Sequence, residues 1–254
     1  MSGNDQRDMS ASSKLPVMHW THKALLVAWM FGISLISSLQ ATPPHIQLDG
    51  GWLELEGDAT LHGWFCESGE AYVRIGPDAD LHSIHAYLRD ILLDPPADTE
   101  GLAERLHGYM QGAKVNIRTP IDSLDCGSRR LERDLHRAVR AAEHPYVHFR
   151  FIGISHAALQ YRTGQAVLTL QAEAELQLAG QQRLMDIDVN ITIDDDDTIH
   201  FVMGRDLFMT DFNVTPPTAL FGLIRVRDQF NFRFMFSLPA PPWAEHAEIN
   251  PGTR

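Results

Sequence analysis

Basic residues are scarce in this chain: 21 Lys and Arg stand against 33 Asp and Glu, a formal net charge of −12. A balance this acidic argues against nucleic acid or an anionic membrane surface as the main partner, since both need a positive face. Cysteine is scarcer still, present only as Cys66 and Cys126. Missing altogether are GxSxG, HExxH, the P-loop and the GxGxxG turn, so no nucleophile, zinc dyad or nucleotide cradle is announced. His62 lies near Asp58, but nothing fixes a nucleophile for the pair. No internal repeat is present. The expectation is a protein that is not an enzyme and needs no cofactor.

Metal ligands are equally hard to assemble. His82 and His85 sit three apart on a predicted helix and His107 follows on the next, but no Cys or second carboxylate completes the set. They read as surface histidines, with no metal. The "DDDD" run at 194–197 lacks the glycine and spaced ligands of a calcium loop. It reads as a solvated hairpin tip.

One uncharged apolar stretch occurs, "ALLVAWMFGISLISSLQ" from Ala24 to Gln40, after a polar segment ending in Lys23 and before "ATPP". Residues 1–41 therefore predict a signal peptide cleaved after Ala41, or an uncleaved membrane anchor, with a buried helix as a third reading. Either of the first two exports the remainder to the periplasm or beyond and leaves inner-membrane attachment open. The exported part carries 18 Lys and Arg against 31 Asp and Glu. In an oxidising compartment Cys66 and Cys126 can pair; two unpaired buried cysteines are the other reading.

What the chain does have is alternation. "VLTLQAEAELQLAG" (167–180) puts Leu168, Leu170, Ala172, Ala174, Leu176 and Leu178 on one face, and Thr169, Gln171, Glu173, Glu175 and Gln177 on the other. "RLMDIDVNITIDDDD" repeats the pattern with Met185, Ile187, Val189, Ile191 and Ile193, and Gly180 marks a hairpin between the two. "AKVNIRTPI", "YVHFRFIGI" and "TIHFVMG" add Val115, Ile117, Phe149, Phe151, Phe201 and Met203 to the inward set. In "DQFNFRFMFSL" (228–238), Phe230, Phe232, Phe234 and Phe236 share a side. Many long strands with one apolar face predict an all-β fold, a closed antiparallel barrel over about residues 46–238.

Two stretches have a helical period instead. "RRLERDLHRAVRAAEHP" (129–145) aligns Leu131, Leu135, Ala138, Val139 and Ala142, predicting a helix of three to four turns packed across one end. Residues 78–112 predict two short helices outside the wall near a mouth, with Leu81, Ile84, Leu88 and Leu92 on the first, and Leu102, Leu106 and Tyr109 on the second. Pro95-Pro96 separates them. Residues 241–254 form a polar, Pro-rich tail. Whether the aromatic interior is a packed core or the wall of a ligand cavity stays open at this level.

Three segments resemble the YceI-like family: "GDATLHGWFCES" (57–68), "IDSLDCGSRRLERDLHRAVRAAEHPYVHFRF" (121–151) and "MTDFNVTPPTALFGLIRVRDQFNFRFMFSL" (209–238). The matching features, in order, are Thr60-Leu61-His62, Ser123-Leu124-x-Cys126-Gly127, His144-Pro145, the Gly180 hairpin, and Asp211-Phe212 ahead of Pro216-Pro217. Two features depart from that pattern: Asn213 stands where a glycine is common, and the 78–112 stretch is longer and more helical. The resemblance implies an exported, lipocalin-like barrel over residues 42–240 that holds a polyisoprenoid or similar apolar lipid. Some relatives have cysteines at positions like Cys66 and Cys126, so a disulfide is expected. The expected ligand wall is Phe149, Phe151, Leu168, Leu170, Ile187, Val189, Phe201 and Met203 with the four phenylalanines of 230–236. A filled barrel without ligand, or an enzyme acting on a barrel-bound lipid, are the alternatives. A homodimer is left open.

Overall fold

The computed structural model describes residues 46–76, 78–110, 113–219 and 223–241. The predicted leader and all but the first residue of the predicted tail lie outside these. The described residues form nine strands: β1 (Ile46–Ala59), β2 (Gly63–Ile75), β3 (Asn116–Pro120), β4 (Tyr146–Arg162), β5 (Gln165–Leu178), β6 (Gln181–Ile193), β7 (Ile199–Phe208), β8 (Thr218–Ala219) and β9 (Ile224–Leu238). Each pairs antiparallel with its neighbour in the order β1-β2-β3-β4-β5-β6-β7-β9, and β1 pairs with β9 to close the ring. The two-residue β8 is a side partner of β9. This is the all-β antiparallel barrel that the alternation predicts.

The hairpins explain the register. At β5–β6, Ala179 and Gly180 both have positive φ (51° and 77°), the two-residue turn whose twist suits a hairpin. Gly180 is needed twice over, because a Cβ there would sit 2.5 Å from His144 Nε2. With the turn fixed, Leu168 meets Ile191 and Leu170 meets Val189, so both apolar rows point inward. Outward faces carry Glu, Gln, Asp and Thr, the reverse of a barrel that spans lipid. Among the described residues no helix is long and apolar enough to cross a membrane.

Among the described residues three α-helices accompany the strands: α1 (Leu81–Leu93), α2 (Leu102–Met110) and α3 (Arg129–Ala138). The insertion thus forms two helices around Pro95-Pro96. Asp80 caps α1 by accepting the Ser83 N–H at 3.0 Å. α3 is shorter than the sequence pattern suggests. Its helix stops because Arg140 turns left-handed (φ 55°), and the Arg140 guanidinium donates to the Ala179 carbonyl. Val139 is buried by this turn, whereas Ala142 is exposed and leaves the predicted stripe. Cys66 of β2 and Cys126 are joined by a disulfide, beside an antiparallel bridge between Glu67 and Asp125.

Candidate functional site

The barrel interior has two apolar chambers, one toward each end. The first lies under the inserted helices. Ile84, Tyr87 and Leu88 of α1 and Leu106, Tyr109 and Met110 of α2 form its roof. Phe149, Phe151 and Leu170 on one side, and Val189, Phe201 and Met203 on the other, form its walls together with Phe236. Phe201 and Phe236 are opposite each other in register and their rings stack at 4.5 Å. The predicted insertion near a mouth is therefore the roof of a chamber.

The second chamber lies at the α3 end. Leu135, Ala138 and Val139 cover it, and Leu55, Trp64, Val147, Leu176, Phe230 and Phe232 line it. Only one polar atom stands out there. Trp64 Nε1 is buried and has no hydrogen-bond partner among the described residues. An orphaned buried donor is costly, so this N–H is chemically ready for an acceptor.

Phe234 lines neither chamber. It is 1% exposed and sits on β9 between Phe232 of one chamber and Phe236 of the other, paired with Leu53 and Met203. Its neighbours on the strand thus belong to different chambers, and its ring is the partition. Each chamber has a volume of about 50 Å³. That is far below the roughly 300 Å³ at which small-molecule pockets begin.

The structure places Phe149, Leu168, Leu170, Ile187, Val189, Phe201, Met203, Phe230, Phe232, Phe234 and Phe236 in the buried interior. Phe151 is only partly buried, since a bulge between Phe151 and Gly153 shifts β4 out of phase. Leu168 is buried but, like Phe234, lines neither chamber. Sequence reasoning did not bring in Trp64, Leu55, Val147 or Tyr87 as lining. Trp64 is the tryptophan of "HGW" in the 57–68 segment, but only barrel closure brings it beneath α3.

Two expectations about polar residues need correction. His85 is not a surface histidine: it is buried, and its Nε2–H donates to the backbone carbonyl of Asp197 at 2.8 Å. Nor is 194–197 merely a solvated tip. Asp197 also forms an ion pair with Arg89 of α1 at 3.0 Å, so the β6–β7 turn fastens the roof. Asp194 closes the turn by accepting the Thr198 N–H at 2.9 Å. The hydrogen bond from His200 holds the Asp194 carboxyl below its usual value, with the Thr198 amide adding to this. His107 stands apart from His82 and His85, against Gly153, and its Nδ1 accepts the Ile154 N–H at 3.4 Å. Asn213, the departure from the family pattern, has φ 54°, a left-handed conformation that asparagine tolerates almost as glycine does.

No protein-family model and no curated protein matches the chain. Solved structures do. BcnA of Burkholderia cenocepacia is 11% identical, covering 74% of this chain and 96% of that one, with a TM-score of 0.47. A polyisoprenoid binding domain from Saccharophagus degradans, implicated in plant cell wall breakdown, is 10% identical over 77% and 98%, with a TM-score of 0.48. The Campylobacter jejuni YceI protein is 16% identical over 50% and 72%, with a TM-score of 0.38. The structural neighbours include a YceI protein.

Proposed function

We propose that the chain is an exported barrel that takes up one apolar, chain-like amphiphile, of the polyisoprenoid kind that the sequence resemblance suggests, and performs no covalent chemistry on it. The observation that carries this reading is the row Phe230-Phe232-Phe234-Phe236, which extends from the wall of one apolar chamber to the wall of the other, with only the Phe234 ring between them. Apolar lining binds by area removed from water, about 0.8 kcal/mol per buried CH₂, and needs no specific polar contact. The unpartnered Trp64 N–H suits an oxygen-bearing end of such a ligand. The leader and the Cys66–Cys126 bridge both support an oxidising compartment, periplasmic or extracellular. A role in storing or carrying the lipid is the physiological corollary.

The chamber volumes favour a second reading, a barrel filled by its own side chains. The two differ in what the interior does when lipid is offered. Organic extracts of the full chain, purified without detergent and analysed by mass spectrometry, should contain a stoichiometric isoprenoid or acyl lipid. Lipid-free extracts, together with failure to take up a polyprenol from solution, leave the filled barrel.

A further inference from the structure

A groove on the outside of the barrel is built differently from everything around it. Two cross-strand rows form it. Tyr72, Arg118, His148 and Gln177 lie side by side across β2, β3, β4 and β5, and Arg74, Asn116, Arg150 and Glu175 form the next row. These eight outward side chains surround a concavity of about 320 Å³, against about 50 Å³ for each inner chamber.

Three guanidiniums and an imidazole thus converge on a chain whose net charge is −12. Among the described residues only Arg150 of the three is matched by an acid, through hydrogen bonds of 3.2 and 2.9 Å to Glu175. Arg118 has no carboxylate partner among the described residues. It is held instead by two rings, with its Cζ 4.6 Å from the centre of Tyr146 and 5.8 Å from that of Tyr72. Arg74 has neither an acid nor a ring against it among the described residues. Like charges brought together across strands destabilise a sheet, so the arrangement gains from a counter-charge. A guanidinium already fixed by stacking loses less freedom on binding, and its fork matches two oxygens of one anion.

We infer that this groove binds a phosphate-class oxyanion, with Arg118 as the fixed fork and Arg74 and Arg150 closing on it from the neighbouring row. The groove is larger than an inorganic phosphate, so its natural occupant is a phosphomonoester whose substituent lies over Asn116 and the tyrosines. The site is separate from the barrel interior and stands whether or not the barrel holds lipid. Binding weakens as salt rises, because the groups are exposed. An anion also offsets the Arg118 repulsion that, together with partial desolvation of the ring, keeps His148 from taking a proton.

The test is titration calorimetry of the full chain at low ionic strength with inorganic phosphate and with glycerol 1-phosphate. The His148 ring protons are followed by NMR in the same samples. One saturable site is expected, with a His148 midpoint that rises on binding. Arg118→Gln should lower affinity tenfold or more, and so should Arg74→Gln, which has no partner whose loss could disturb folding. Barrel lipid content should not change in either variant. Co-sedimentation with vesicles containing phosphatidic acid, a lipid phosphomonoester, distinguishes the source. Vesicle binding that Arg118→Gln abolishes and free phosphate competes away assigns the anion to a lipid headgroup, and free phosphate binding alone assigns it to a soluble ester. Absence of saturable binding to all three probes, or unchanged affinity in both variants, overturns the site.

Discussion

His85 and Asp197, far apart in the chain, are joined by a single 2.8 Å hydrogen bond from the His85 ring to the Asp197 carbonyl, and that bond ties the roof helix to the barrel rim. Arg89 reaches the carboxylate of the same aspartate, but those side chains are 43% and 38% exposed. A pair that open contributes about 0–1 kcal/mol, whereas removing one partner of a buried hydrogen bond costs about 1–3 kcal/mol. His85→Ala should therefore speed amide exchange through residues 81–93 much more than Arg89→Ala, with β5 and β6 unchanged in both. Equal effects of the two substitutions would show that the buried bond is not the anchor.

The disulfide closes a long loop, with a sequence separation of 60 between Cys66 and Cys126. Loop-closure entropy then gives it about 4 kcal/mol, a large share of a domain's net stability. Denaturant unfolding with and without reductant, or of Cys126→Ser, should show a loss of roughly that size. The midpoint should fall and the slope should rise, because the unfolded chain without the cross-link is less compact and exposes more surface. A shift equivalent to well under 1 kcal/mol would mean that the unfolded chain is already constrained in this region.

Stability should also fall on mild acidification, through His148. Burial of the ring first, and the Arg118 guanidinium second, hold its pKa below the ordinary 6.5. Gln177 flanks the ring on β5, Arg150 and Tyr146 lie two residues away on β4, and Glu175 is diagonal. The unfolded chain takes up this proton near pH 6.5 and the folded chain only at lower pH. Between those values the unfolded state binds more protons, so stability drops as pH falls and levels off below the folded value. Asp194 acts in a separate, more acidic window: its stabilisation is present above 3.8 and is lost as pH falls through its lowered pKa. Melting temperatures of His148→Gln across pH should lose the upper decline and keep the lower one. An unaltered profile would remove His148 from the account.

Much of this could be read along single strands. β5, β6 and β9 alternate without interruption, so their inward rows were legible, including the four phenylalanines. β1 and β2 were not, because irregularities around Gly51 break the phase of their pattern. His85 looked like a surface residue because its partner is a backbone carbonyl supplied by a distant turn. The outer groove was invisible for a related reason. Arg118 lies between Tyr72 and Tyr146 only once β2, β3 and β4 are in register. Local periodicity reports which face a residue takes, and says nothing about which strand will stand beside it.

The sharpest test of the interior concerns Phe232 and Phe234, which differ in what their loss should do. Both rings are buried, so truncation to alanine costs about 3–5 kcal/mol at either site from lost transfer and a new cavity. Stability alone therefore cannot separate a lipid wall from a packed core. Phe232 lines the α3 chamber, and Phe234 divides the two chambers. Phe232→Leu keeps much of the packing but reshapes one wall, so it should reduce lipid retention while the fold survives. Phe234→Ala removes the partition, and the freed volume should connect the two small spaces into one. Despite lower stability, that variant should take up long polyprenols faster than the parent chain. Phe232→Asn adds an unsatisfied amide to an apolar chamber and should lose both lipid and stability. Retention, uptake rate and unfolding free energy must be measured on the same preparations. If Phe234→Ala loses stability without any gain in uptake, and Phe232→Leu leaves bound lipid untouched, the four rings are core packing and the filled barrel is the correct description.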